Sequence, residues 1–121
     1  MRNISFALTT DQVRNRTKTV TRRNGWRFLK RGDVLCAVEK SQGLRKGEKV
    51  KRICTIRVRR VSRERLDYLF AYPGDCTREG FPFLLPSEFI RHFCETHKGV
   101  TPETEITRIE FEYVDALAEA A

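Results

Sequence analysis

Val50-Lys51-Arg52-Ile53-Cys54-Thr55-Ile56-Arg57-Val58-Arg59-Arg60-Val61 alternates apolar and polar side chains through its middle. Residues two apart share one face of a strand. Cys54, Ile56 and Val58 are therefore expected to face a core, with Thr55, Arg57 and Arg59 pointing outward. The alternation breaks at Arg60-Val61, which predicts a bulge or the end of the strand. A strand apolar on one face and charged on the other argues against an open parallel sheet, whose strands are covered on both sides.

Working outward, residues 33–40 read as a second strand, with Val34, Cys36 and Val38 on one face and Leu35, Ala37 and Glu39 on the other. A polar connection at 41–48 joins it to the first. Residues 105–114 form a closing strand in which Ile109, Phe111 and Tyr113 alternate with Arg108, Glu110 and Glu112. Residues 4–8 read as a short opening strand. Thr9 or Thr10 caps a brief helix reaching about residue 17, with Asp11 in its favourable first turn. Residues 64–70 read as a helix stopped by Pro73-Gly74. Pro86 opens another over 86–97, its missing N–H harmless at that position, with Phe89, Ile90 and Phe93 on the apolar side. Residues 17–23 fit either an extended segment or a tight loop, and Asn24-Gly25 is a turn. The sum is an α+β fold: a small β-barrel or strongly bent mixed sheet with two to three short flanking helices. No repeat or linker divides the chain, so one domain is expected over 1–121, with its core in about 4–114 and a frayed tail at 115–121.

Charge is segregated. Residues 10–63 hold 18 Lys and Arg against four acids, a local net of +14, while the rest of the chain carries −6, which together give +8. A field of this kind suits a polyanion, because Lys and Arg release the counterions of phosphates they replace. No apolar run approaches the ~18 residues of a membrane span, and the first residues do not resemble a secretory signal. No membrane partner and a cytoplasmic location are the expectations. Cys36, Cys54, Cys76 and Cys94 form no C-x-x-C unit and are expected to be reduced. His92, Cys94 and His97 would need a distant ligand such as Cys76 to hold zinc. Neither a metal nor another cofactor is expected; His92 reads as a helix-surface residue and His97 as a partner of the helix dipole.

Thr17-Lys18-Thr19-Val20-Thr21-Arg22-Arg23 packs three cations and three hydroxyls into seven residues. A lysine near other cations and partly desolvated loses proton affinity and can serve as base or nucleophile. A threonine within its reach could then be activated for acyl transfer. The same residues equally describe a polar loop that touches phosphate. Glu39 could accept hydrogen bonds from a base edge or pair with Arg57 or Arg59. Trp26 could stack on a base or pack in the core. Phe81 and Phe83 could flank a cleft, although core packing is the simpler expectation.

The segment 17–23, the strand entry Gly32-Asp33-Val34-Leu35, Glu79-Gly80-Phe81 ahead of the 86–97 helix, and the closing Ile109-Glu110-Phe111 together resemble the ASCH family. The four elements occur in that family's order and span about residues 4–114. The resemblance implies a PUA-like β-barrel with a cleft suited to RNA or a modified nucleoside. Some ASCH proteins hydrolyse the amide of N4-acetylcytidine with a Lys, a Thr three residues later and a distant Glu. By position these are Lys18, Thr21 and Glu79, with Lys18 deprotonating Thr21, Thr21 attacking the acyl carbon and Glu79 either orienting Lys18 or handling the leaving amine's proton. Arg22 and Arg23 would steady developing negative charge. Trp26, Glu39, Arg57 and Arg59 join them as candidate nucleic-acid contacts. Other relatives are described as RNA-binding or RNA-cleaving, so a non-catalytic RNA-binding module and, behind it, a ribonuclease are the alternatives. This chain also differs from the compact amidohydrolases in its added segments at 41–48 and 72–83, and its basic excess points to a polymeric partner.

Overall fold

The structure is a computed structural model that describes residues 1–114; the tail expected to fray, 115–121, lies outside the described residues. Five strands, β1 (Arg2–Ser5), β2 (Val20–Arg23), β3 (Val34–Val38), β4 (Arg52–Arg65) and β5 (Glu105–Tyr113), form one mixed sheet. The spatial order is β1-β3-β4-β5-β2, with β1 parallel to β3 and every other pair antiparallel. The sheet curves into a half-barrel flanked by α1 (Thr10–Arg14), α2 (Asp75–Arg78), α3 (Pro86–Thr96) and a 3-10 turn at Leu66–Ala71. The α+β class and the bent sheet match the sequence expectation.

The long strand β4 holds the sheet together. Its first half pairs with β3 and its second half with β5, and the register slips between Val58 and Arg60. Arg59 is thus the extra residue of a bulge, one position before the predicted break, and the strand runs on to Arg65. The bulge adds local twist, which lets one strand serve two directions of the sheet. Ile56 and Val58 are buried as expected, and Cys54 is partly so. Thr55 is not outward: it is buried, and its hydroxyl accepts a hydrogen bond from Arg52 Nη2 at 2.7 Å, which offsets the cost of burying it.

Other boundaries moved for local reasons. α1 stops at Arg14, not near residue 17, because Arg16 takes a left-handed φ of 60° and the N–H groups of Thr17 and Lys18 both turn back to the Gln12 carbonyl. Glu64 and Arg65, expected in a helix, are in β4, since Ile106 and Glu105 offer them ladder partners. β1 ends at Ser5, although the Phe6 N–H still reaches the Val38 carbonyl. The ambiguous segment 17–23 resolves into an extended stretch ending in β2. The one-turn helix α2 was not anticipated. At α3 the Glu88 carboxylate reaches back to the Leu85 N–H at 2.8 Å, so the helix begins at Pro86 as its sequence suggests.

Two apolar clusters result. Ile4, Phe6, Val13, Leu35, Ala37, Ile56, Val58, Ile109 and Phe111 form one cluster, in which strand residues pack with Val13 of α1. Leu66, Leu69, Phe89, Ile90, Phe93, Val100 and Ile106 pack α3 against the far end of β4 and β5. Each fully buried Ile, Leu or Phe contributes about 1.5–3 kcal/mol. Among the described residues no helix is long and apolar enough to cross a membrane.

Candidate active site

Between the two clusters lies a cavity of about 420 Å³ whose lining combines Lys18, Thr21, Arg22, Arg23 and Glu79 with the aromatic Phe6, Phe81, Phe89 and Phe93. Its size falls in the ordinary range for small-ligand sites.

Lys18 sits in the turn between α1 and β2. Its carbonyl accepts the Tyr113 hydroxyl at 2.6 Å, and the next residue ties the turn to α2 through Thr19 N–H to the Arg78 carbonyl, 2.8 Å. Its side chain is 3% exposed. Nζ donates to Glu79 Oε1 at 2.8 Å and to the Glu79 carbonyl at 2.7 Å. Burial pulls the Lys18 proton affinity below its ordinary value, against the opposing attraction of Glu79. With two N–H groups spent on Glu79, a neutral amine has only its lone pair left to present.

Glu79 caps the C-terminus of α2 and is itself 2% exposed. Gly80 follows with φ +98°, a conformation other residues avoid, and a Cβ there would lie 2.8 Å from Gln12 Cγ. Gln12 braces both halves of the site: its carbonyl receives the N–H groups of Thr17 and Lys18, and its amide donates to the Gly80 carbonyl at 3.2 Å.

Behind Lys18 and Glu79 runs a buried ion network. Arg22 donates from Nη1 to Glu79 Oε2 at 3.0 Å, and from Nη2 to Asp75 Oδ2 at 2.7 Å and Glu64 Oε1 at 3.3 Å. Its cross-strand neighbour Arg108 donates to both oxygens of Asp75, at 2.8 and 3.2 Å. Two arginines placed opposite each other would repel; Asp75 between them removes that cost. Burial disfavours the charges of Arg22 and Asp75, but their partners outweigh it, holding Arg22 above and Asp75 below its ordinary value. Arg23 Nε donates to the Thr21 hydroxyl at 3.0 Å, and its Nη2 to the Ser5 carbonyl at 2.6 Å, with the guanidinium over the Phe6 ring. Burial lowers Arg23 to about 10, so it remains a cation at neutral pH. A cation donating to Thr21 Oγ stabilises negative charge forming there and leaves the hydroxyl proton free to depart.

Lys18, Thr21, Arg22, Arg23 and Glu79 thus all line one cavity, Lys18, Glu79 and Arg22 joined in one hydrogen-bonded group and Thr21 with Arg23 in another. Trp26 does not line this cavity; it packs, partly buried, against the sheet cluster. Glu39 does not line it: its carboxylate pairs with Arg14, not with Arg57 or Arg59. Arg57 and Arg59 line a separate groove and face Glu112, at 3.3 and 3.9 Å. Phe81 packs on the α3 cluster and lines the cavity, whereas Phe83 is 96% exposed and joins neither the core nor the site. Gln12, Asp75, Glu64 and Arg108 escaped the sequence reading, since nothing in their neighbourhoods marks them. Both histidines line the cavity, and His97 stacks on Phe93 with ring centroids 3.9 Å apart. Among the described residues no three His, Cys, Asp or Glu side chains are grouped to hold a metal, and none of the four cysteines is in a disulfide.

No family model matches the chain, and no curated protein matches it. A solved structure does: protein EF3133 from Enterococcus faecalis V583, of the family DUF984, is 18% identical with a TM-score of 0.60, covering 89% of this chain and 71% of that one. At this identity the similarity is one of fold alone.

Proposed function

We propose that this is an ASCH-type domain that takes RNA or a modified nucleoside into the Lys18–Glu79 cavity and hydrolyses the amide of an N4-acylated cytidine there. One observation carries it: a buried lysine whose proton affinity burial lowers and a threonine whose oxygen faces a cation both line a nucleoside-sized cavity.

In the first step Thr21 Oγ bonds to the acyl carbon and its proton passes to Lys18 Nζ. Arg23 stabilises the charge developing at Oγ. The C–N bond then breaks, and the departing N4 amine takes the proton from Lys18. Water cleaves the acyl-threonine, returning the hydroxyl and releasing the carboxylic acid and cytidine. Glu79 holds Lys18 in place throughout, and the phenylalanine wall accepts the base.

Release of cytidine from N4-acetylcytidine, followed by chromatography, tests this. The parent should turn over, while Thr21→Ala should lose at least about a thousandfold in rate and keep its affinity for the nucleoside. Equal turnover by the variant, or none by a parent that binds the nucleoside, refutes the chemistry. The second outcome favours a non-catalytic RNA-binding module. One observation speaks for that alternative: Lys18, Thr21 and Glu79 all have hydrogen-bond partners within the protein already.

A further inference from the structure

A second hollow of about 430 Å³ adjoins the cavity, and Ser5, Ala7, Arg23, Gln42 and His97 border both. We infer that this second hollow is a subsite for the nucleotide next to the one held at Lys18, so that the substrate is a cytidine within an RNA strand rather than a free nucleoside. This rests on the nucleoside reading of the cavity proposed above.

Three observations converge. The first is charge. The cations Arg23 and Lys40 line the second hollow together with Asn3, Asn24, Gln42 and His97, and no carboxylate does so among the described residues. The groove of Arg57 and Arg59 contains Glu110 and Glu112, and the small hollow beside Lys40 contains Glu39 and Glu48. A phosphodiester finds the weakest opposition where no carboxylate competes for the cations. The carboxylate nearest Lys40 is Glu48 at 3.7 Å, between half-exposed side chains, a tie that a phosphate can displace.

The second is Trp26. It packs on the apolar cluster of the sheet and also lines the hollow, with its ring 5.4 Å from that of Phe28. An aromatic ring seated on a core at the edge of a polar hollow can serve as a stacking platform that accepts any base.

The third is backbone strain. Trp26 has φ +55° directly after Gly25 at +117°. A bulky residue in the left-handed region is unfavourable and persists only where its surroundings impose it, which happens most often at ligand sites. The turn could relax with a glycine at position 26, at the loss of the ring.

Size completes the case. The first hollow by itself accommodates a nucleoside, and a free nucleoside would leave the second unused.

Calorimetric titration of the parent with cytidine, its monophosphates and the dinucleotide CpC at low salt tests the subsite without requiring catalysis. CpC should bind on the order of tenfold tighter than the better monophosphate. Trp26→Ala and Lys40→Ala should each lose most of that gain and bind cytidine within about twofold of the parent. Lys40 is half-exposed, so its variant folds even if the tryptophan variant does not. CpC binding no tighter than a monophosphate, or a gain that survives both substitutions in folded protein, overturns the subsite. Cytidine binding with no dinucleotide gain refutes this inference alone. Failure of cytidine and CpC alike refutes the nucleoside reading of the cavity and the subsite with it.

Discussion

Replacing Glu79 with glutamine keeps the side chain's shape and removes its charge. The parent carboxylate faces Lys18 through one oxygen and Arg22 through the other, with all three side chains at most 3% exposed. An amide can accept from one cation only, and its NH2 then confronts the other. Arg22 retains Asp75 and Glu64, so Lys18 bears the loss. Breaking one side of a buried ion pair costs about 3–5 kcal/mol. Lys18 can escape part of this by giving up its proton, so the lower end, about 3 kcal/mol, is expected, a fall of roughly 10 °C in Tm for a chain of this size. The sign of the pH dependence follows. In the parent, burial already lowers Lys18 below its ordinary 10.5, so the unfolded chain binds more protons than the folded one between that lowered value and 10.5. Stability rises with pH across this window. Without Glu79 the folded value drops further and the window extends to lower pH. Urea unfolding of parent and E79Q across pH 6–10 reads both effects. Loss of less than about 1 kcal/mol, with no added slope, would falsify the idea that Glu79 exists to hold a buried lysine. The double variant Lys18→Met with Glu79→Gln should be less destabilised than E79Q alone, because no stranded lysine remains and the glutamine oxygen still accepts from Arg22 Nη1.

Gly80→Ala should cost at least about 1–2 kcal/mol through its left-handed φ alone, and more from contact with Gln12; denaturant midpoints measure the first, and N4-acetylcytidine turnover should fall with it as Glu79 shifts. An unchanged midpoint would mean that the turn after Glu79 relaxes freely. Reversing the charges of Arg57 and Arg59 to Glu should leave CpC affinity within about twofold, since both already face Glu112 outside the cavity. A loss of tenfold or more at low salt would place the nucleic-acid track on that sheet face instead.

Strand alternation made most of the sheet legible. Ile56, Val58, Ile109 and Phe111 are buried because period-two patterning leaves few other ways to hide them. What failed was locally ambiguous. Glu64 and Arg65 suit a helix or a strand equally, and only the ladder to Ile106 and Glu105 decides. At the site, Lys18, Thr21 and Glu79 were found through a resemblance, not through composition, since a lysine 61 positions from its carboxylate leaves no local mark. Asp75 was invisible for the same reason: its importance lies in two arginines on neighbouring strands. Arg57 and Arg59 stood out for their charge, but charge on an outward strand face says nothing of which hollow it overlooks.

The length of β4 has a further consequence. Its early residues Ile56 and Val58 belong to one apolar cluster, and the chain leaving its end, at Leu66, belongs to the other; β5 repeats the division with Phe111 and Ile106. There is therefore no seam along which one cluster could melt while the other persists, because each would have to tear the same two strands. Cooperative loss of the whole domain is the cheaper event, and amides in both clusters should exchange through one common opening. The cavity is bordered by Phe6 from one cluster and by Phe89 and Phe93 from the other. An occupant there bridges the two, and its binding energy slows exchange across the entire sheet.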